Sequence, residues 1–331
     1  MKLSGNRKIS YDSAINEALF QGMEKDQSVF LMGQGVKSAW YVGNTCKGLL
    51  EKFGQDRVID TPISENCITG AGVGAALVGM RPVIVHPRMD FMFYAMDPII
   101  NQAANWSYMF GEKLNVPLVI WTIINRGGEQ GAQHSQALQA FFAHVPGLKV
   151  VMPSNPYDAK GLLLSSIREN NPVIFIDDRW LYDSEGNVPQ EIYEIPIGKA
   201  EIRKQGKDIT VVATSFMVSQ VLEAAEELNS KKIDVEVINL RTVKPFDRDL
   251  IFESVKKTGR IIIVDASWKS FGIGAEIAAE VSEKCFKFLK EPVKRLGLPD
   301  HPAPSSSSSE KKYYLNKKDI KNGIQNSFCG I

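Results

Sequence analysis

The chain has 331 residues, 44% of them hydrophobic and 23% charged, too many for one ordinary core and enough for two domains of about 150 residues each. Its 39 Lys and Arg nearly balance 38 Asp and Glu, leaving a formal charge of +1, so nothing marks it as a partner for nucleic acid or another polyanion. Cys46, Cys67, Cys285 and Cys329 are widely separated, without the paired spacing of a zinc site or a disulfide framework, and fit a reducing cytoplasm.

The segment Met1 to Arg7 lacks the apolar core of a signal peptide, and no apolar run approaches the ~20 residues of a membrane helix. A soluble protein without a membrane partner is expected. Helices are predicted at about Ser10 to Glu24, Asn66 to Val78, Phe91 to Met109 and Pro156 to Glu169. Between them, apolar runs predict strands beginning at Val29, Val58, Pro82, Val116, Lys149 and Pro172. Such alternation implies a parallel sheet covered on both faces. The turn-rich stretch from Tyr182 to Pro196 reads as the start of a linker. Beyond it, strands at Ile209, Val235 and Arg260 alternate with helices at about Met217 to Asn229 and Arg248 to Lys257. The fold class is therefore α/β with two doubly wound domains, spanning residues 1–185 and 201–331 and joined by a linker at 186–200. The five serines from Ser305 to Ser309 read as a local low-complexity loop.

Chemistry concentrates where the short Val58 strand hands over to a glycine-rich helix. Asp60-Thr-Pro-Ile-Ser-Glu-Asn ends on Glu65 and is followed by Gly70, Gly72, Gly74 and Gly79. Taken alone, Ser64 fits a helix cap and Glu65 an acid in the first turn, where the macrodipole favours it. The glycines fit close helix packing. They do not spell a dinucleotide fingerprint, and the chain has no P-loop.

Together with Gly70-Ala-Gly-Val-Gly-Ala-Ala, Gly131-Ala-Gln-His-Ser-Gln and Pro146-Gly-Leu-Lys-Val-Val, this motif resembles the beta subunit of the thiamine-diphosphate-dependent decarboxylating component of 2-oxoacid dehydrogenases, a protein of transketolase-like pyrimidine-binding and C-terminal domains. The resemblance implies that Glu65 bonds a ring nitrogen of the cofactor's aminopyrimidine, so that the cofactor's own exocyclic nitrogen can act as a base. It also implies that His134 lines the substrate channel. Ile63, Pro87 and Phe91 are the further expected cofactor contacts, Phe91 by stacking. The family's Gly-Asp-Gly motif for magnesium and pyrophosphate is absent from this sequence. The magnesium ligands are therefore expected from an alpha-type partner chain, with self-association through the C-terminal domain giving an α2β2 heterotetramer.

Three places depart from the family. His86 and Arg88 replace apolar positions, and a planar guanidinium suits a carboxylate or phosphate. Both are expected substrate contacts together with Gln133, although Arg88 could equally pair with Asp90 or a partner subunit. Gly33-Gln34-Gly35-Val36 stands where the family usually has two acids after the glycine. The serine run replaces a tyrosine-containing segment, which puts docking of a lipoyl acyltransferase in doubt. The expected reaction is decarboxylation of a 2-oxoacid with transfer to a lipoyl acceptor. The alternatives are a split transketolase-like carboligase and a non-catalytic scaffold subunit.

Overall fold

The structure, a computed structural model, describes residues 7–328; the polar start at residues 1–6 and Cys329 lie outside the described residues. Seven strands form the first sheet. In spatial order they are Thr242–Lys244, Lys149–Val151, Val173–Asp178, Val119–Ile124, Arg81–His86, Val29–Gly33 and Val58–Asp60. All run parallel except Thr242–Lys244, which lies antiparallel on Lys149–Val151. This edge strand comes from the second half of the chain and completes the sheet of the first. The second sheet runs Lys294–Leu298, Ile261–Trp268, Ile209–Ala213, Val235–Asn239, Glu201–Lys204, the last strand antiparallel.

The central strands are mostly apolar because helices cover both faces, with His86, Thr122, Asp177 and Asp178 the polar residues toward their carboxyl ends. Tyr11–Lys25 and Pro156–Arg168 pack on one face of the first sheet, around Leu19, Leu31, Trp121 and Leu163. Glu65–Leu77 lies on the other. Gly72 is the tight contact there, since a Cβ at this position would lie 2.7 Å from the Ile84 side chain. Gly70 and Gly74 face open space, so the expectation of close packing along the whole glycine row holds at one position only. The two halves are tied by buried polar bonds. Asn239 donates to Asp158 at 2.6 Å and Arg241 pairs with the same carboxylate at 2.7 Å.

Three local expectations are corrected. Ser64 is the N-cap of its helix but its side chain makes no capping bond. The helix expected from Phe91 to Met109 is instead a 3₁₀ segment, Met89–Ala95, then a π-helical turn, Asp97–Ala103, then an α-helix, Ala104–Met109; Pro98 has no N–H to give to an α-helical ladder. The serine run is not all loop, for the helix Ser307–Tyr313 begins within it. Among the described residues, no helix is long and apolar enough to cross a membrane.

Candidate active site

Four parallel strands of the first sheet release their side chains at one edge, where the order reverses. Val29–Gly33 leads to Val58–Asp60 on one side, while Arg81–His86 and Val119–Ile124 build outward on the other. Open α/β sheets bind ligands at the carboxyl ends of strands beside such a reversal. A cavity of about 550 Å³ lies there, lined by Gln34 after the first strand, Ile63 and Glu65 after the second, His86, Pro87, Arg88, Phe91 and Tyr94 after the third, Gln130 and His134 after the fourth, and Trp40 and Tyr41.

Seven of the eight residues singled out from the sequence thus meet in one wall. Gln133 is the exception: it is exposed and stands outside the lining, which Gln130 enters instead. Trp40, Tyr41, Tyr94 and Gln130 carried no sequence signal as site residues. Gln34 carried one only as a departure from a family pattern.

Local bonds fix the wall. Gly35 N donates to Asp60 Oδ1 at 2.8 Å and so ties two strand ends together. Gln136 N donates to the buried Asp90 at 3.0 Å, joining the loop of His134 to the 3₁₀ segment of Phe91. Phe91 and His134 meet edge to face, their centroids 5.2 Å apart. Burial raises the Asp90 carboxyl above the usual range, and its Oδ2 has no partner.

The Glu65 carboxylate is partly buried on the cavity wall, and among the described residues nothing hydrogen-bonds to it. His86 is 1% exposed. Its Nε2 shares a 3.0 Å hydrogen bond with Thr69 Oγ1, and desolvation pushes its pKa down to about 4. It therefore presents a neutral ring near pH 7. Arg88 Nη1 donates to Pro87 O at 2.6 Å while its buried Nε has no partner. The alternative pairing with Asp90 is not formed. Burial, then the neighbouring guanidinium of Arg179, lowers the Arg88 pKa. Arg179 in turn donates to Trp40 O at 3.1 Å and to Asn125 Oδ1 at 3.4 Å. Two cations stand here with no carboxylate paired to either among the described residues, and such a place favours an anionic ligand group.

An acid free to bond a ligand, beside a phenyl ring and rim aromatics, matches the needs of an aminopyrimidine: one charge-assisted hydrogen bond and a flat apolar seat. The residues present fit that half of thiamine diphosphate. Among the described residues no group of three or more His, Cys, Asp or Glu could hold a metal ion.

Residues 7–184 match the family described as "Transketolase, pyrimidine binding domain" and residues 198–320 match "Transketolase, C-terminal domain". The chain is 44% identical to the acetoin:2,6-dichlorophenolindophenol oxidoreductase subunit beta of Cupriavidus necator, over 95% of this chain and 96% of that protein. The chain belongs to the transketolase-like family of beta subunits. Other members of this family include the pyruvate dehydrogenase E1 component subunit beta-1 of Oryza sativa subsp. japonica, 42% identical over 95% of this chain and 85% of its own length. The 2-oxoisovalerate dehydrogenase subunit beta of Bacillus subtilis is 41% identical, over 94% and 95%. A solved structure described as a split gene transketolase, inactive beta4 tetramer, shares the fold with a TM-score of 0.77 at 22% identity, covering 96% of this chain and 98% of that one.

Proposed function

We propose that the chain is the beta subunit of a heteromeric thiamine diphosphate enzyme that decarboxylates a 2-oxoacid and passes the acyl unit to a lipoyl acceptor. The observation that carries this is the Glu65 carboxylate, without a hydrogen-bond partner among the described residues, on the wall of a cavity that also holds Phe91 and His134. When bound, thiamine diphosphate would supply the nucleophilic carbon for the reaction at a substrate carbonyl. Glu65 holds a proton at a ring nitrogen of the aminopyrimidine. Ile63, Pro87 and Phe91 seat the ring and exclude water from its faces. His134 donates to charge developing on the substrate oxygen or passes a proton. The amide contact expected of Gln133 is better supplied by Gln130, which lines the cavity.

The alpha-type partner supplies magnesium and pyrophosphate binding. The β-β contact of an α2β2 assembly is assigned to the second domain, where Phe271 is 95% exposed and Phe286 75%, large apolar surfaces suited to an interface. The cysteines Cys46, Cys67 and Cys285 are free, which supports a cytoplasmic setting.

One observation favours a second outcome with the same cofactor. Arg88 and Arg179, unpaired with any carboxylate among the described residues, suit a substrate or acceptor more anionic than pyruvate, as in carboligation to a phosphorylated or acidic carbonyl compound. Assaying the assembled enzyme against a panel of 2-oxoacids, with a lipoyl acceptor or with sugar phosphates, separates the two. Reduction of the lipoyl acceptor supports the dehydrogenase, carbon–carbon bond formation supports the carboligase, and neither activity with any substrate contradicts an enzymatic role.

A further inference from the structure

The loop that brings Gln130 and His134 into the cavity is held by a segment 178 to 181 positions away. Gly127, Gly128 and Glu129 are consecutive residues with φ of 76°, 65° and 61°. Glycine adopts that left-handed conformation without steric cost, whereas a residue with a Cβ is disfavoured there by about 1 kcal/mol or more. Glu129 therefore needs bonds to keep it in place. Its backbone N–H donates to Glu310 Oε1 at 3.1 Å, and its own Oε1 accepts from Ser307 N at 2.8 Å. The two glutamates thus serve each other's segments reciprocally, as the side chains of a capping box do within one helix.

The same contact continues toward His134. A Cβ on Gly131 would lie 3.3 Å from Ser305 Cβ, so the turn before the histidine rests on the serine run. Glu310 is only 6% exposed, on a helix whose Tyr313 and Tyr314 pack against Trp180 and Trp268. Past the histidine, Ser267 Oγ donates to Ala137 O at 2.7 Å and Gln139 donates to Asp265 at 2.6 Å. Both ends of the loop are therefore fixed to the second domain.

We infer that Glu129 and Glu310 form a clamp that positions the Gln130 to His134 segment at the cavity, making Ser305 to Glu310 part of the site's support. This rests on His134 handling substrate, as proposed above. Glu310 and Glu129 are positioning residues, since neither lines the cavity.

The test uses the assembled enzyme with Glu310→Ala, Glu310→Gln and Glu129→Gly. Glu310→Ala is expected to lower kcat/KM about 10- to 100-fold, the scale of a small misplacement of a catalytic group. Proton exchange at the thiazolium carbon should stay within about twofold, because Glu65 and Phe91 stand on other strand ends. Glu310→Gln keeps an acceptor oxygen for Glu129 N–H and should recover most of the loss. Glu129→Gly keeps the backbone donor and should cost less than Glu310→Ala. Amide hydrogen exchange across residues 127–134 should quicken in Glu310→Ala, a readout independent of any activity. In a His134→Ala background, Glu310→Ala should add little further loss. Unchanged amide exchange, or a Glu310→Ala penalty of the same size without His134, overturns the clamp. An assembled parent enzyme with no thiamine diphosphate activity instead contradicts the functional reading, while the amide exchange still reports on the clamp.

Discussion

The rings of Phe91 and His134 stand nearly perpendicular, 83° between planes and 5.2 Å between centroids. The contact joins the expected seat of the cofactor to the expected substrate channel. Edge-to-face pairs of aromatic rings contribute roughly 0.5–1.5 kcal/mol beyond the area they bury. Because Phe91 is proposed to stack on the pyrimidine, Phe91→Ala should weaken thiamine diphosphate binding about tenfold in calorimetry of the assembled enzyme. His134→Ala should leave that affinity nearly unchanged and lower kcat by about 10²–10⁴-fold. Equal losses of cofactor affinity in both variants would show that the two rings do not divide the work in this way.

Arg88 gives a prediction about substrate rather than cofactor. With its Nε unpartnered among the described residues and its Nη1 bonded only to the Pro87 carbonyl, Arg88→Ala should raise KM for an anionic substrate and leave thiazolium proton exchange untouched. Arg88→Lys should recover only part of the loss, because an ammonium keeps the charge without the two-pronged geometry. Substrate profiles identical to the parent in both variants would make Arg88 a structural residue.

His86 predicts a pH dependence of stability. Its folded pKa of about 4 lies below the ordinary imidazole value of 6.5, so between these limits the unfolded chain binds more protons than the folded one. The burial of His86 therefore costs stability as pH falls from about 6.5 towards 4, and the cost vanishes above that window. Asp265 and Asp177, raised by burial to about 6 and about 7, act in the opposite sense, so the comparison must be with a His86→Gln variant. Relative to that variant, the parent should lose about 2 kcal/mol of stability between pH 7.5 and pH 5. Parallel denaturation curves for the two proteins across this range would rule the effect out.

The central strands were legible because Val29–Gly33, Val119–Ile124 and Val173–Asp178 are buried on both faces and open on apolar runs, with Thr122, Asp177 and Asp178 the polar exceptions. Of the edge strands, Val58–Asp60 was legible and the others were not. Thr242–Lys244 is three residues long and runs into Pro245, and Lys294–Leu298 carries Lys294, Arg295 and Gly297; neither shows a period. The serine helix was hidden because serine prefers caps and turns to helix interiors, while the contacts that anchor it, Ser307 to Glu129 and Glu310 to Glu129, are long-range. Of the site, Glu65, Phe91 and His134 were readable from motifs with a chemical reason. Trp40, Tyr41, Tyr94 and Gln130 become neighbours only when four strand ends converge, which no linear spacing encodes.

The absence of Gly-Asp-Gly from the sequence predicts how the chain behaves alone. It offers an acid and an aromatic seat but no recognised ligands for a metal-bound pyrophosphate. The isolated chain should bind thiamine diphosphate weakly, and magnesium should not improve it; co-purification with an alpha-type chain should give tight, magnesium-dependent binding. Tight magnesium-dependent binding to the isolated chain would reveal a second site within it.

The central claim, that Glu65 activates a bound cofactor, is tested most directly by proton–deuteron exchange at the thiazolium carbon in the assembled enzyme, comparing the parent with Glu65→Gln. The variant keeps a hydrogen-bonding side chain of the same length, so fold and partner association should survive. If Glu65 holds the proton at the pyrimidine ring, exchange slows by about 10²–10⁴-fold while cofactor remains bound. Exchange at the parent's rate in Glu65→Gln, with cofactor bound, would contradict the account.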